Sequence, residues 1–427
     1  MKTHRTRAFL VAAAFTTGVL FSFKWPATGR HLHTANCSLP AETWGFFGHR
    51  KINHQAVFTL PPEMMVFFKR NIDYLTEHAV DADKRRYATT HEAPRHYLDL
   101  DRYGEPPFPT LPRRWTDALL CRTGYFFINE NNDTLSLVES NLSTLFTKPE
   151  SEIAIHPAIF SGEPETVTYR QFRQFFIHNI LKQYYEDKWG ISCDSVAALL
   201  GTGAIPCTGA FAVDTFSEHG ILPYHILKMM NRLAAAFAAK EEKKILRYAA
   251  DIGHYIADAH VPLHTSQNYN GQLTNQLGIH AFWESRIPEL FAGQDYDFWV
   301  GKAKLIEHPS PYFWKIVLNT HSYVDSVLAI EREVAAQVPA DRQYCSEVRG
   351  SALVRTQCEE FAAAYHERLG GMVEQQMQAA IVAVGSAWYT AWVTAGQPDL
   401  HNMKPGSGDP DPAPTTPAGK PFGRKHE

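Results

Sequence analysis

The chain lacks the features that mark several common protein classes. Its 6 cysteines are few for 427 residues, and no two stand in C-x-x-C spacing, which argues against a thiolate zinc motif. The formal net charge is −4, so there is no whole-chain polycation to coat duplex DNA. Beyond the N-terminus no apolar run approaches the ~20 residues of a spanning helix. Strictly alternating β runs are scarce and no internal repeat is visible. With 44% hydrophobic and 20% charged residues, the chain can still build a sizeable core. The expected fold is all-α: a single large helical domain with a cleft between helices.

Lys2, Arg5 and Arg7 precede a mostly apolar stretch from Ala8 to Phe23, which ends at Lys24. That stretch is short for a membrane span and suits an export signal, so residues 1–29 read as a signal peptide. The expected location is periplasmic or secreted. No clean A-x-A site follows, which leaves an uncleaved membrane anchor as the alternative. Residues 30–43 read as a connector, 44–395 as the domain, and 396–427, rich in Gly, Pro and Asp, as a disordered tail. Long helices are expected over 221–239, 241–260 and 361–393. Helical patterning weakens over about 116–216, which reads as a partly helical insertion in the same domain. Cys193 and Cys207, and likewise Cys345 and Cys358, are near enough to close small loops, with Cys37 and Cys121 left over. These cysteines fit an oxidising compartment, and their pairing stays open.

What the chain does have is 21 histidines, several in short clusters with acids. Ile245, Ala249, Ile252, Ile256 and Ala259 repeat in steps of four and three, an apolar stripe on one helical face. Arg247, Asp251, His254 and Asp258 fall opposite. His254 and Asp258 are one turn apart and can converge on one ion, and Pro262 should end the helix so that His264 swings back. Standing alone, H-x-x-x-D is more simply a solvated polar face. A second such pair, His280 and Glu284, lies among Phe282, Trp283 and Ile287, which suggests burial. A buried imidazole and carboxylate need a partner charge or a metal. Upstream stand Trp44 and His49, then Asp81 and Asp83 ahead of Arg85-Arg86, then Arg95-His96-Tyr97-Leu98-Asp99. Nitrogen and oxygen donors without sulfur suit catalytic zinc.

The order Trp-x4-His, Ala-Asp, His-aromatic-x-Asp, His-x3-Asp-x5-His and His-x3-Glu resembles the trinuclear zinc phospholipase C and single-strand nuclease family. The resemblance runs from Trp44 to about Phe291, interrupted by the insertion, and the step from His254 to His264 with Pro-Leu before the last histidine is its most specific part. It implies three Zn2+ ions. One would take Asp83, His96, His254 and Asp258. A second would take the backbone of Trp44, with His49 and the shared Asp258, and a third His264, His280 and Glu284. Asp83 is preferred to Asp81 because Ala82-Asp83 matches the family's Ala-Asp. In the family the mature chain begins at the tryptophan. Here 43 residues precede Trp44, so either a second cleavage exposes it or that ion is held less completely.

The resemblance also implies hydrolysis of a phosphodiester by a metal-bound hydroxide bridging the ions that share Asp258, with Asp83 as a possible base. Asp251 or Asp99 would orient ligating imidazoles. The leading substrate is a phospholipid headgroup or another phosphate ester, since Glu284 is the phospholipase-like form of that ligand. Tyr97 and Asp99 match positions where nuclease relatives bind a base, so a single-strand nuclease or nucleotidase is the alternative, although wall or core is the simpler reading of Tyr97. Arg85-Arg86 and Arg113-Arg114 are basic pairs suited to a phosphate or to plain solvent. A non-catalytic zinc-stabilised binding module is the third reading, and it fits open metal positions poorly.

Overall fold

In the computed structural model the described residues are 45–403, excepting 87–88, 163–165, 187, 202, 350–351 and 402. The expected signal, the connector, Trp44, Cys37 and most of the tail lie outside them. Among the described residues no helix is long and apolar enough to cross a membrane.

The helix Glu242–Asp258 is the axis of the molecule. Its stripe of Ile245, Ala249, Ile252 and Ile256 is fully buried, as the spacing predicts. The opposite face is buried as well, with His254 at 0% and Asp258 at 1% exposure, so it is not a solvated face. Three helices enclose it: Phe46–Ala56, Leu222–Ala238 and Met372–Thr394. The first approaches so closely that only glycine fits at 253, where a Cβ would lie 1.9 Å from Asn53 Oδ1. Asn53 uses that proximity to donate from Nδ2 to the carbonyls of Leu75 (3.3 Å) and Ala250 (3.1 Å). From the third, the buried Trp388 donates from Nε1 to the Ala249 carbonyl at 3.0 Å.

The long helix expected over 361–393 is two. Glu359–Leu369 and Met372–Thr394 are separated by Gly370 and Gly371, both in the left-handed region with φ 59° and 81°. That conformation costs glycine little and ends the first helix.

The expectation of an all-α fold is overturned: the protein is mixed, with three small antiparallel sheets beside the helices among the described residues. Within the insertion, Thr134–Ser136, Thr123–Asn129, Cys207–Asp214 and Trp189–Ile191 lie side by side in that order. Glu152–Ile153 pairs with Val167–Thr168, and Tyr344–Arg349 pairs with Ala352–Gln357. The central strand escaped the periodicity test because both of its faces are apolar. Tyr125 and Phe127 point into the core, while Phe126 stacks on Phe211 across the other face, centroids 4.9 Å apart. Two helices sit among these strands, Tyr169–Asn179 behind a Thr168 capping box and Cys193–Leu200 behind Ser192. Disulfides join Cys193 to Cys207 and Cys345 to Cys358.

Candidate metal centre

Short stretches far apart in sequence converge at the buried face of Glu242–Asp258. His254 and Asp258 project from that helix, one turn apart. The chain then bends through the 3₁₀ turn Pro262–Thr265, which brings His264 Nδ1 to 3.7 Å from Asp258 Oδ1. His49 comes from Phe46–Ala56, Asp83 from the short helix Asp81–Arg85, and His96 from the end of the 3₁₀ turn Ala93–His96. His280 precedes and Glu284 sits within a π-helical turn, Phe282–Arg286, a geometry often found at functional sites.

The donor atoms form a connected set. Asp83 Oδ1 lies 3.7 Å from His96 Nδ1 and 3.6 Å from His254 Nε2, and those two nitrogens are 3.0 Å apart. Asp258 Oδ2 closes this group at 3.0 Å from His96 Nδ1 and 3.3 Å from His254 Nε2. Its other oxygen, Oδ1, faces His49 Nε2 at 3.5 Å. His49 Nε2 is in turn 3.3 Å from Glu284 Oε1, while Glu284 Oε2 reaches His280 Nε2 at 2.8 Å and His264 Nε2 at 3.3 Å. Asp258 and Glu284 therefore each divide their two oxygens between neighbouring donor groups.

Backbone carbonyls fix the imidazoles. His254 Nδ1–H donates to the Ala79 carbonyl at 2.8 Å and His264 Nδ1–H to the His96 carbonyl at 2.5 Å, which turns both Nε2 atoms toward the donor set. Burial raises the pKa of Asp258, but the imidazoles of His254 and His264 and hydrogen bonds from His254 and His96 outweigh it, so the carboxyl sits well below its usual range. Glu284 is held down in the same way, burial being outweighed chiefly by His264. Burial lowers His254, and Asp258 and Asp83 more than reverse this, pushing it up to about 9.

Five imidazoles and three carboxylates thus make clusters able to hold metal ions. The donors fit such a group chemically, being all nitrogen and oxygen and carrying three formal negative charges in a largely buried place. The structure brings together every side-chain ligand expected from the sequence. Trp44 lies outside the described residues, but a Cβ on the next residue, Gly45, would be 3.4 Å from Glu284 Oε1.

Other expectations fall elsewhere. Asp81 is occupied by His78 (2.5 Å) and Lys84 (2.9 Å), away from the donor set. Tyr97 is fully buried and its hydroxyl donates to the Glu218 carbonyl at 3.0 Å, so its ring offers no face for stacking a base. Asp99 is buried beside His219 at 3.9 Å. Asp251 meets Arg85 at 3.0 Å rather than an imidazole. Arg85 is bound on that side also by Glu92 (3.5 Å) and Tyr255 (3.3 Å), and so is not a phosphate ligand, whereas Arg86 lies 3.5 Å from Asp83.

Sequence reasoning missed Glu92. It is completely buried, accepts short hydrogen bonds from Tyr255 and Arg95, and stands 3.8 Å from His96 Nε2, behind the donor set. Burial raises its pKa, but Arg95, Arg85 and His96 bring it down to about 2. The only signal was its position four residues before His96. Compared with models of known protein families the chain matches none, and no curated protein matches it either.

Proposed function

We propose that the protein is an exported, zinc-dependent phosphoric ester hydrolase of the phospholipase C-like kind, with up to three ions in the donor set. What carries this reading is the division of the Asp258 oxygens between Asp83/His96/His254 and His49, repeated by Glu284 between His49 and His264/His280. Shared carboxylates of this sort suit a catalytic multi-ion centre better than an isolated structural zinc, which is usually closed by four ligands of its own. The second ion would complete its shell from the backbone of Trp44. Two disulfides support an oxidising compartment.

Zinc held by these residues would supply Lewis acidity and lower the pKa of bound water toward ~7. The protein's part is to hold donors ready and to handle charge. Asp258 and Glu284 stay ionised, so binding needs no prior deprotonation of either. Asp83, at 19% the most exposed of the three carboxylates, is the one placed to take a proton from the attacking water. Arg86 beside it provides a cation for the phosphate oxygens. The burial of Tyr97 favours a lipid headgroup over single-stranded nucleic acid, since strand binding relies on exposed aromatic faces.

Parallel assays on a phosphocholine diester and on single-stranded DNA test the reading, with metal analysis of the same preparation. The expected result is hydrolysis of the phosphocholine ester, lost on chelation and restored by Zn2+. Cleavage of DNA alone would transfer the function to the nuclease reading. A zinc-loaded protein that turns over neither substrate, and unfolds on chelation, would favour a binding module.

A further inference from the structure

A cavity of about 460 Å³ opens where the insertion meets the helical body, a size suited to a small organic ligand. None of the candidate metal ligands lines it. Its wall from the body is the helix Leu222–Ala238, carrying His225 and Lys228, together with Arg113, Arg114 and Trp115 at the start of the helix Trp115–Cys121. The insertion contributes Tyr184 and Tyr185.

Charge and shape point the same way. Among the described residues no carboxylate lines this cavity, while Arg95, Arg113, Arg114 and Lys228 all do. Arg95 is neutralised from behind by Glu92. Arg114 and Lys228 are exposed, while the half-buried Arg113 stands over Trp314, 4.1 Å from the ring centroid, and donates to the Pro107 carbonyl at 2.6 Å. Lys228 Nζ is fixed by donating to the Tyr185 hydroxyl at 2.7 Å. The aromatic walls are built edge to face, with Trp115 and Tyr184 at 5.2 Å, and Tyr185 remains 45% exposed. His225 is only 5% exposed, yet it lines the cavity with no hydrogen bond to its ring among the described residues, and its ring packs T-shaped with Tyr255, centroids 4.6 Å apart. A ring that opens on a cavity without a protein hydrogen bond can bond a ligand that enters it.

We propose that this cavity is a second ligand site, separate from the metal centre, for an aromatic phosphate monoester of the nucleoside monophosphate class. The phosphate would be met by Arg113, Arg114 and Lys228, and the flat body would lie among Trp115, Tyr184 and Tyr185, with His225 bonding its polar edge.

The test is calorimetric titration of the zinc-loaded full chain with AMP, adenosine and inorganic phosphate, repeated on an Arg114→Ala/Lys228→Ala double variant. Both residues are exposed and touch none of the metal ligands, so the variant keeps its metal content and its hydrolysis of a phosphocholine ester. The expected result is an AMP site that weakens at least tenfold in the double variant, with adenosine and phosphate each binding more weakly than AMP. AMP binding unchanged by the double variant overturns the proposal, and so does adenosine or phosphate binding as tightly as AMP. Because the hydrolytic readout is separate, failure of this site and failure of the hydrolase reading are told apart.

Discussion

The helical body and the insertion at 116–216 divide the work of this molecule unequally. All eight side chains of the donor set come from the body, and none from the insertion. The body pairs four of its candidate ligands by local rules, His254 with Asp258 and His280 with Glu284 standing one helical turn apart, and draws the other four from separate elements. The insertion is assembled by long-range pairing, such as Ile128 opposite Gly209, and is tied by the Cys193–Cys207 disulfide. The candidate ligands gather on the body, and the insertion shapes one side of a neighbouring cavity that none of them lines.

The strongest way to break this contrast is Asp258→Asn, which keeps the shape of the side chain and removes the charge that both donor groups share. Hydrolysis should fall by at least about a hundredfold, since even partners outside the first ligand shell are worth 10–100-fold in metal affinity or activity. Metal content should drop with it, while the insertion stays protease-resistant. The same centre makes metal uptake pH-dependent. His254 in the metal-free cluster is raised to about 9, so at pH 7 it carries a proton that an arriving ion must displace. Zinc titration at pH 7 in buffers of different ionisation enthalpy should therefore report net proton release, and affinity should weaken as pH falls. Uptake without proton release would mean that the imidazole is already neutral.

Packing in the body is the next lever. Gly253→Ala would drive a methyl to 1.9 Å from Asn53 Oδ1 and displace an amide that bonds two buried carbonyls. Overpacking of this kind costs about 1–3 kcal/mol, and the upper end is expected here. Because the crowded helix also carries His254 and Asp258, metal content should fall along with the melting temperature. In the insertion the counterpart is Cys193→Ser/Cys207→Ser. Opening a loop with a sequence separation of 14 costs about 3 kcal/mol in the chain-entropy account. That loss should appear as proteolysis within 116–216 at unchanged zinc content. If zinc is lost as well, the two regions are coupled and the division of labour described above fails.

The same contrast explains what was legible in the sequence. The axial helix was visible because its stripe obeys the helical period, and its ligands were visible because two donors a turn apart share a face. The glycine break at 370–371 was hidden by helical composition on either side, and the sheet by strands apolar on both faces. That Asp258 and Glu284 each serve two donor groups could be expected for the first only through a resemblance, because contact between His49 and Glu284 is a tertiary fact. Glu92 was out of reach for the same reason: its partners Arg85, Arg95, His96 and Tyr255 meet only when two distant segments pack.

Tyr97 gives the smallest and most discriminating prediction. Its ring is sealed by Gly220, which has φ 92° and where a Cβ would lie 2.1 Å from the Tyr97 carbonyl oxygen. That carbonyl accepts from the Leu222 amide at 3.1 Å, and its neighbour, the carbonyl of His96, holds His264. Tyr97 thus acts as a strut beside His96, whose ring joins Asp83 and His254 and whose carbonyl holds His264. Tyr97→Phe removes the bond to the Glu218 carbonyl and should cost about 1 kcal/mol in urea unfolding. KM and kcat for any phosphodiester should stay within about twofold, because the ring is fully buried. A several-fold rise in KM for single-stranded DNA at unchanged stability would show that the ring leaves its pocket to stack on a base, and would restore the nuclease reading.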